Sequence, residues 1–172
     1  MTEKEFLNGL ARGKIDLIQY FLDFLCEKKI SYCVIGGLAV NAYVEPVVSM
    51  DLDIVITTAG LNTLKESLSK NFQMKEFTHS INFYHPDSNL RIQVQTDNRY
   101  QAFISNANEK QVLGYTMNVA SIEDVLKGKI WAYGDKERRQ SKRQKDLADI
   151  FRIIESFPDL EKILPEKIRL LL

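Results

Sequence analysis

The chain has 172 residues, 45% hydrophobic and 27% charged, which fits one packed domain, or one domain with a helical extension, and excludes two large domains or a disordered chain. Lys+Arg and Asp+Glu both number 23, so the formal net charge is zero and any site for a polyanion must be local. No apolar run approaches the roughly 20 residues needed to cross a bilayer, and Met1-Thr2-Glu3-Lys4-Glu5 lacks a signal-peptide core, so the expectation is a soluble, cytoplasmic protein with no membrane partner. Cys26 and Cys33 stand in apolar surroundings without a His/Cys cluster, which predicts two buried free thiols rather than a disulfide or a zinc site.

Apolar residues at Ile15, Leu17, Ile18, Phe21, Leu22, Leu25 and Cys26 recur at helical spacing and predict an opening amphipathic helix over 15–29. A β-rich run, Ser31 to Ile35, stops at Gly36-Gly37, and Leu38 to Val44 reads as a helix broken by Glu45-Pro46. Asp51 to Thr57 alternates acid and apolar residues, the pattern of a strand with one buried face. A helix is predicted over Gly60 to Phe72, then a hairpin of Ile81 to Tyr84 and Leu90 to Thr96 around Pro86-Asp87-Ser88-Asn89. Asp97 to Gly114 is polar and weakly patterned, and Tyr115 to Ala120 reads as a further strand. Ser121 is the expected N-cap of a helix over Ile122 to Tyr133, followed by a second over Lys136 to Ser156 and two short helices punctuated by Pro158 and Pro165. The expected organisation is an α/β core over 1–120 with a helical segment, 121–172, packed on it.

The chemistry centres on Val34-Ile35-Gly36-Gly37 and, thirteen residues later, Asp51-Leu52-Asp53-Ile54. Residues two apart on a strand share a face, so Asp51 and Asp53 present paired carboxylates while Leu52 and Ile54 enter the core. Their mutual repulsion is relieved most naturally by a hard divalent cation such as Mg²⁺, which completes its shell with water and phosphate oxygens. Glycines at the end of a strand let backbone N–H groups approach a phosphate closely. Each piece alone has a bland reading, a solvated strand end or an ordinary turn. In the tail, Asp146 and Asp149 sit one helical turn apart, with Lys145 about a quarter-turn away, so one helix can deliver both signs of charge to a cleft. Lys136, Arg138, Arg139, Lys142, Arg143 and Lys145 form a basic patch that can draw in a triphosphate or RNA, or be a solvated face. Lys129 can neutralise phosphate or snorkel from an amphipathic helix.

Together these segments resemble the nucleotidyltransferase family of the DNA polymerase β type, whose signature is a Gly-Gly or Gly-Ser turn, a helix and an Asp-x-Asp opening the next strand. Val119 to Ala132, with Lys129, followed by Arg143-Gln-Lys145-Asp146-Leu-Ala-Asp149-Ile150, is similar to the helical segment of bacterial AbiEii-type toxin nucleotidyltransferases. The resemblance implies an α/β fold with a mixed, largely antiparallel sheet, flanking helices and a C-terminal helical segment. It also implies Asp51 and Asp53 as metal ligands and catalytic residues, and Lys129 as a further catalytic residue. Gly36, Gly37, Ser49, Lys145 and Asp146 would hold the nucleotide. Mg²⁺, with Mn²⁺ as a substitute, would be the cofactor. The implied partners are an NTP, a hydroxyl acceptor on a protein, tRNA or small molecule, and a cognate antitoxin.

Two positions depart from the family pattern. The third carboxylate expected on a later strand is replaced by Gln93, which carries no charge and cannot act as a base, and Asp97 lies roughly 13 Å further along an extended strand. An Arg expected before the Asp pair is missing from Val47-Val48-Ser49, which leaves Ser49 as a hydrogen-bond donor. The alternative reading is therefore a catalytically impaired nucleotide-binding or protein-interaction module, and a third is an RNA-binding protein using the basic helix. His79 and His85 read as ordinary edge or loop residues, and Tyr84, Tyr100 and Phe103 as core aromatics.

Overall fold

The computed structural model describes residues 1–172. The chain opens with α1 (Glu3–Leu10), where the Thr2 hydroxyl accepts from the Glu5 N–H and the Glu5 carboxylate accepts from the Thr2 N–H at 2.7 Å. In α2 (Leu17–Glu27), capped by Asp16, the apolar stripe of Leu17, Ile18, Phe21, Leu22 and Leu25 is buried as its spacing requires. There follow β1 (Tyr32–Ile35), α3 (Gly36–Asn41), β2 (Asp51–Ile56), α4 (Thr58–Leu68), β3 (Gln73–Glu76), β4 (Ser80–Tyr84) and β5 (Arg91–Gln95). A 3-10 segment, Asn98–Asn106, leads into β6 (Asn108–Val112), β7 (Tyr115–Val119), α5 (Ile122–Gly134) and α6 (Gln140–Ser156). The chain ends in a 3-10 turn, Pro158–Ile163, and α7 (Glu166–Arg169).

One seven-stranded sheet has the order β3-β4-β5-β2-β1-β7-β6. The β1–β7 and β2–β5 pairs are parallel and the rest antiparallel, the mixed, largely antiparallel sheet expected. Alternation sorts β2 into two faces: Leu52, Ile54 and Ile56 are buried with Ile92, Val94, Ile81 and Phe83, while Asp51 and Asp53 look out from the opposite face. Each fully buried aliphatic or Phe side chain contributes about 1.5–3 kcal/mol, so inverting this register is not an option for β2. The buried cluster runs on through Val125 and Leu126 of α5, Ile150, Ile153 and Ile154 of α6 and Ile168 of α7, so the helical tail and the sheet share a core. No helix is long and apolar enough to cross a membrane.

Several expectations are corrected. The first helix is α1 rather than the one over 15–29, and Thr2 and Glu5 carry its capping signature. Helix α4 ends at Leu68 rather than Phe72, because Phe72 turns in to pack against Phe83 and His85, and the chain then forms the edge strand β3. The polar stretch after Asp97 holds both a 3-10 segment and β6, which pairs with β7 across Leu113 and Gly114, both at positive φ. Helix α6 starts at Gln140, not Lys136, which leaves Arg138 in the preceding turn. Cys33 is buried, and burial pushes its thiol up to about 12, whereas Cys26 is exposed rather than buried.

Candidate active site

The register of β2 decides which side chains meet. Ile35, the last residue of β1, stands opposite Asp53; on the other flank Asp51 faces Arg91 and Asp53 faces Gln93. Directly after Ile35 the chain swings into α3 through Gly36 at a φ of 70°. A Cβ there would overlap Asp53 Oδ2 and lie 2.8 Å from the Asp53 Cγ, so both the left-handed backbone and the contact demand glycine. Gly37 abuts Ser49, whose buried hydroxyl donates to the Asp51 carbonyl at 3.3 Å. The loop carrying Ser49 is stapled by Asn41, whose amide donates to the Val47 carbonyl at 2.7 Å and accepts from the Val47 N–H at 2.9 Å.

The two carboxylates have different surroundings. Asp51 is held by a bidentate pair with Arg91, Nε donating to Oδ1 at 3.1 Å and Nη2 to Oδ2 at 2.8 Å, and Lys142 Nζ of α6 reaches the same Oδ2 at 3.3 Å. Burial and the neighbouring Asp51 charge raise the Asp53 carboxyl above the usual carboxylate range, against the opposing pull of Lys129, Arg91 and Arg138. Like charge and desolvation in one place mark a position that gains from a cation.

The helical tail contributes a chain of alternating charges. Lys129 Nζ of α5 lies 3.0 Å from Asp146 Oδ1 and 2.7 Å from Asp149 Oδ2, and all three side chains are buried. Arg138 Nε donates to Asp146 Oδ2 at 2.7 Å, and Arg152 Nη1 to Asp149 Oδ1 at 2.7 Å. Burial alone would depress the Lys129 ammonium, but Asp149 and Asp146 outweigh it and hold the group protonated above its ordinary pKa. Arg143 closes the α5–α6 turn, donating to the Tyr133 carbonyl at 2.7 Å and lying over the Tyr133 ring. Arg152 also donates to the Glu45 carbonyl, tying α6 to the loop ahead of Ser49.

These elements enclose two adjoining recesses of about 30 and 70 Å³, the first lined by Gly37, Ser49, Asp51, Lys142 and Lys145, the second by Gly36, Gln93 and Tyr100, with Asp53, Lys129, Arg138 and Asp146 common to both. Such volumes admit an ion or a few waters. All the expected site residues, Gly36, Gly37, Ser49, Asp51, Asp53, Lys129, Lys145 and Asp146, border this space. Lys129 neither snorkels nor stands free: its charge is already taken by Asp146 and Asp149. The sequence reading singles out Asp149 beside Asp146 but not Arg91, nor the carboxylates that Arg138 and Lys142 hold. Arg91 shares a strand face with Gln93, two residues on, but only the parallel β2–β5 register sets it beside Asp51.

Asp97 supplies no third acid. It caps the 3-10 segment and is held below the usual carboxylate range by its hydrogen bonds with Arg99. No group of three or more His, Cys, Asp or Glu side chains converges anywhere in the chain. His79 is exposed, and His85 Nδ1 accepts from the Asp87 N–H at 3.1 Å with its ring edge-on to Phe72. Tyr100 and Phe103 are buried against Trp131.

No family model matches the chain, and no curated protein does. Among solved structures it is similar to the lincosamide antibiotic adenylyltransferase LnuA in its lincomycin-bound form, with a TM-score of 0.57 and 12% identity over 82% of this chain and 98% of that one. It is similar to ANT(2'')-Ia in complex with adenylyl-2''-tobramycin, with a TM-score of 0.62 and 13% identity over 90% of this chain and 94% of that one. A nucleotidyltransferase-like antigenic protein from Paracoccidioides brasiliensis matches with a TM-score of 0.55 and 18% identity over 90% of this chain and 78% of that one. At these identities what is shared is the fold. The sheet of this chain, with the Gly36-Gly37 turn and the Asp51/Asp53 strand at its centre, is a nucleotidyltransferase fold.

Proposed function

We propose that the chain binds an NTP with Mg²⁺ and transfers a nucleotidyl group to a hydroxyl acceptor, releasing pyrophosphate. The observation that carries this reading is the meeting of Asp51 and Asp53 with Gly36-Gly37 at one end of the central strands, under Lys142 and Lys145. The donor set suits the metal: two carboxylates, one of them destabilised by burial and like charge, beside the Gln93 amide, whose carbonyl is a further hard oxygen. Mn²⁺ accepts the same oxygen donors. When bound, the metal neutralises the phosphates and orients them for displacement.

The remaining work falls to the chain. Gly36 and Gly37 let Asp53 and Ser49 pack directly on the turn, which sets both beside the recess where a phosphate would lie, and the Ser49 hydroxyl can donate to that phosphate on leaving the Asp51 carbonyl. Lys145, exposed at the recess, offsets triphosphate charge. Lys129 acts as a positioning residue, because its ammonium holds Asp146 and Asp149 and through them Arg138 and Arg152. A hydroxylated small molecule is the acceptor class favoured over protein or tRNA, since this chain spans almost the whole length of LnuA and ANT(2'')-Ia, which were captured with lincomycin and an adenylylated tobramycin. A cytoplasmic setting suits an NTP-using protein with two unpaired cysteines. Membership of the AbiEii-type toxins, with a cognate antitoxin as partner, rests on the Arg143-to-Ile150 resemblance; growth arrest on expression without a partner would support it, and unaffected growth would reject it.

A second reading is favoured by one observation. Gln93 lies directly across the ladder from Asp53, where the family pattern has its third acid, so the site can bind nucleotide without transferring it. Transfer of label from α-labelled NTP to hydroxyl acceptors decides between the two. Activity in the wild type that Asp53→Asn abolishes supports the enzyme; activity that appears only in Gln93→Asp supports the binding module.

A further inference from the structure

Asp51 Oδ2 is fully subscribed, with two donors on its two lone pairs. An ionised carboxylate offers about four lone-pair positions. Arg91 takes one on each oxygen, and Lys142 Nζ takes another on Oδ2 at 3.3 Å. A metal that uses Asp51 Oδ2 therefore competes with two cations, and these differ in how firmly they are held. Arg91 comes from the adjacent strand, forms a planar two-bond fork and is itself stabilised by the Asp51 and Asp53 charges. Lys142 makes a single longer contact from the first turn of α6, at the end of a flexible stem, with 39% of its side chain exposed. It is the cation that can leave.

It also has somewhere to go. Lys142 borders the recess formed by Gly37, Ser49, Asp53 and Lys145, the space assigned above to phosphate. We propose that Lys142 is an exchangeable counter-ion: without nucleotide it neutralises Asp51, and on binding of metal and triphosphate it releases Asp51 Oδ2 to the metal and transfers its ammonium to a phosphate oxygen. No covalent bond changes, and each charge keeps an opposite partner in both states. The proposal deepens the nucleotide-binding reading and rests on it. It assigns Lys142 two ligands of opposite effect: it hinders metal alone and helps triphosphate.

That opposition gives a test independent of acceptor and base. Mg²⁺ alone, and inorganic tripolyphosphate in the presence of EDTA, are titrated by calorimetry into wild type, Lys142→Gln, Lys142→Arg and Lys145→Gln. An exposed ion pair is commonly up to about fivefold in affinity, so Lys142→Gln is expected to bind Mg²⁺ about twofold to fivefold more tightly and tripolyphosphate weaker by a similar factor. Lys142→Arg is expected to restore tripolyphosphate binding, and Lys145→Gln to weaken tripolyphosphate while leaving Mg²⁺ unchanged, because Lys145 makes no contact with Asp51. Circular dichroism confirms that the variants fold. If wild type binds both probes and Lys142→Gln moves them in the same direction, or moves neither, the exchange is overturned and the nucleotide site stands. If wild type binds neither probe alone nor the two together, the nucleotide reading fails and the exchange with it.

Discussion

Replacing Lys129 by Met keeps the length of the side chain and removes its charge from between Asp146 and Asp149. The three side chains are 8%, 3% and 5% exposed, so water cannot take the place of the ammonium. Breaking a buried pair by removing one partner costs about 3–5 kcal/mol, because the other charge stays buried and uncompensated. Here each carboxylate keeps an arginine on its second oxygen, Arg138 on Asp146 and Arg152 on Asp149, while Asp149 Oδ2 has no hydrogen-bond donor beyond the lost ammonium. The cost should fall at the low end, about 3 kcal/mol, which for a chain of this size lowers Tm by about 6–12 °C. Adding Asp149→Asn to Lys129→Met removes the stranded charge and should recover part of the loss, a non-additivity of 1 kcal/mol or more in a double-mutant cycle. Urea and thermal denaturation of the four proteins measure it. A Tm within about 2 °C of wild type for Lys129→Met, or strict additivity in the cycle, would show that Lys129 does not clasp the two helices.

Other outcomes follow from the strand ends and the loop between them. Gly36→Ala forces a Cβ into the left-handed region, at about 1–2 kcal/mol, and into the Asp53 carboxylate, so it should lower Tm and abolish metal-dependent nucleotide binding; Gly37→Ala, whose Cβ would sit 3.1 Å from Ser49 Oγ, should be milder on both counts. Because the Asp53 carboxyl titrates above its unfolded value, the native state binds its proton more readily, and stability without ligand falls as pH rises through that native pKa. Asp53→Asn should therefore raise Tm at neutral pH, by the equivalent of about 0.5–2 kcal/mol, and lose that advantage as the solution is acidified; a variant less stable than wild type at pH 7 would refute this. Asn41→Ala removes both bonds that staple the Val47 loop, so it should cost about 1–2 kcal/mol and loosen Ser49, read as faster amide exchange across residues 45–50.

What the sequence discloses about this site divides along a physical line. Asp51 and Asp53 are legible because a period of two places them on one face whatever the strand pairs with, and the Gly36 turn because a glycine pair directly after a β-rich run breaks the strand. The Asp146/Asp149 pair is legible for the same local reason, one turn of helix. Their partners are not. Arg91 reaches Asp51 across forty positions of sequence, through a parallel pairing that periodicity does not contain. Lys129 reads as either a phosphate-neutralising or a snorkelling residue until α5 and α6 are packed together, when it becomes the buried centre of a chain of alternating charges, between two carboxylates each held in turn by an arginine. The strand β6, Asn-Glu-Lys-Gln-Val, has no alternation of its own and exists because β7 offers it an edge; its turn uses Leu113-Gly114 where Asn-Gly would have announced a hairpin. Helix α1 is the opposite case, since Thr2 and Glu5 spell its capping box in plain sequence.

The proposed site for metal and nucleotide rests on Asp51 and Asp53. Its most direct test is the thermal stability of wild type and Asp53→Asn with each of the four NTPs, with and without Mg²⁺. At a hundredfold excess over Kd a ligand stabilises by about 2.7 kcal/mol, or about 5–11 °C for a chain of this length, so a genuine site is easily seen. An Mg²⁺-dependent rise is expected with at least one NTP in the wild type and none in Asp53→Asn. No shift with any NTP, or an equal shift in both proteins, would contradict it.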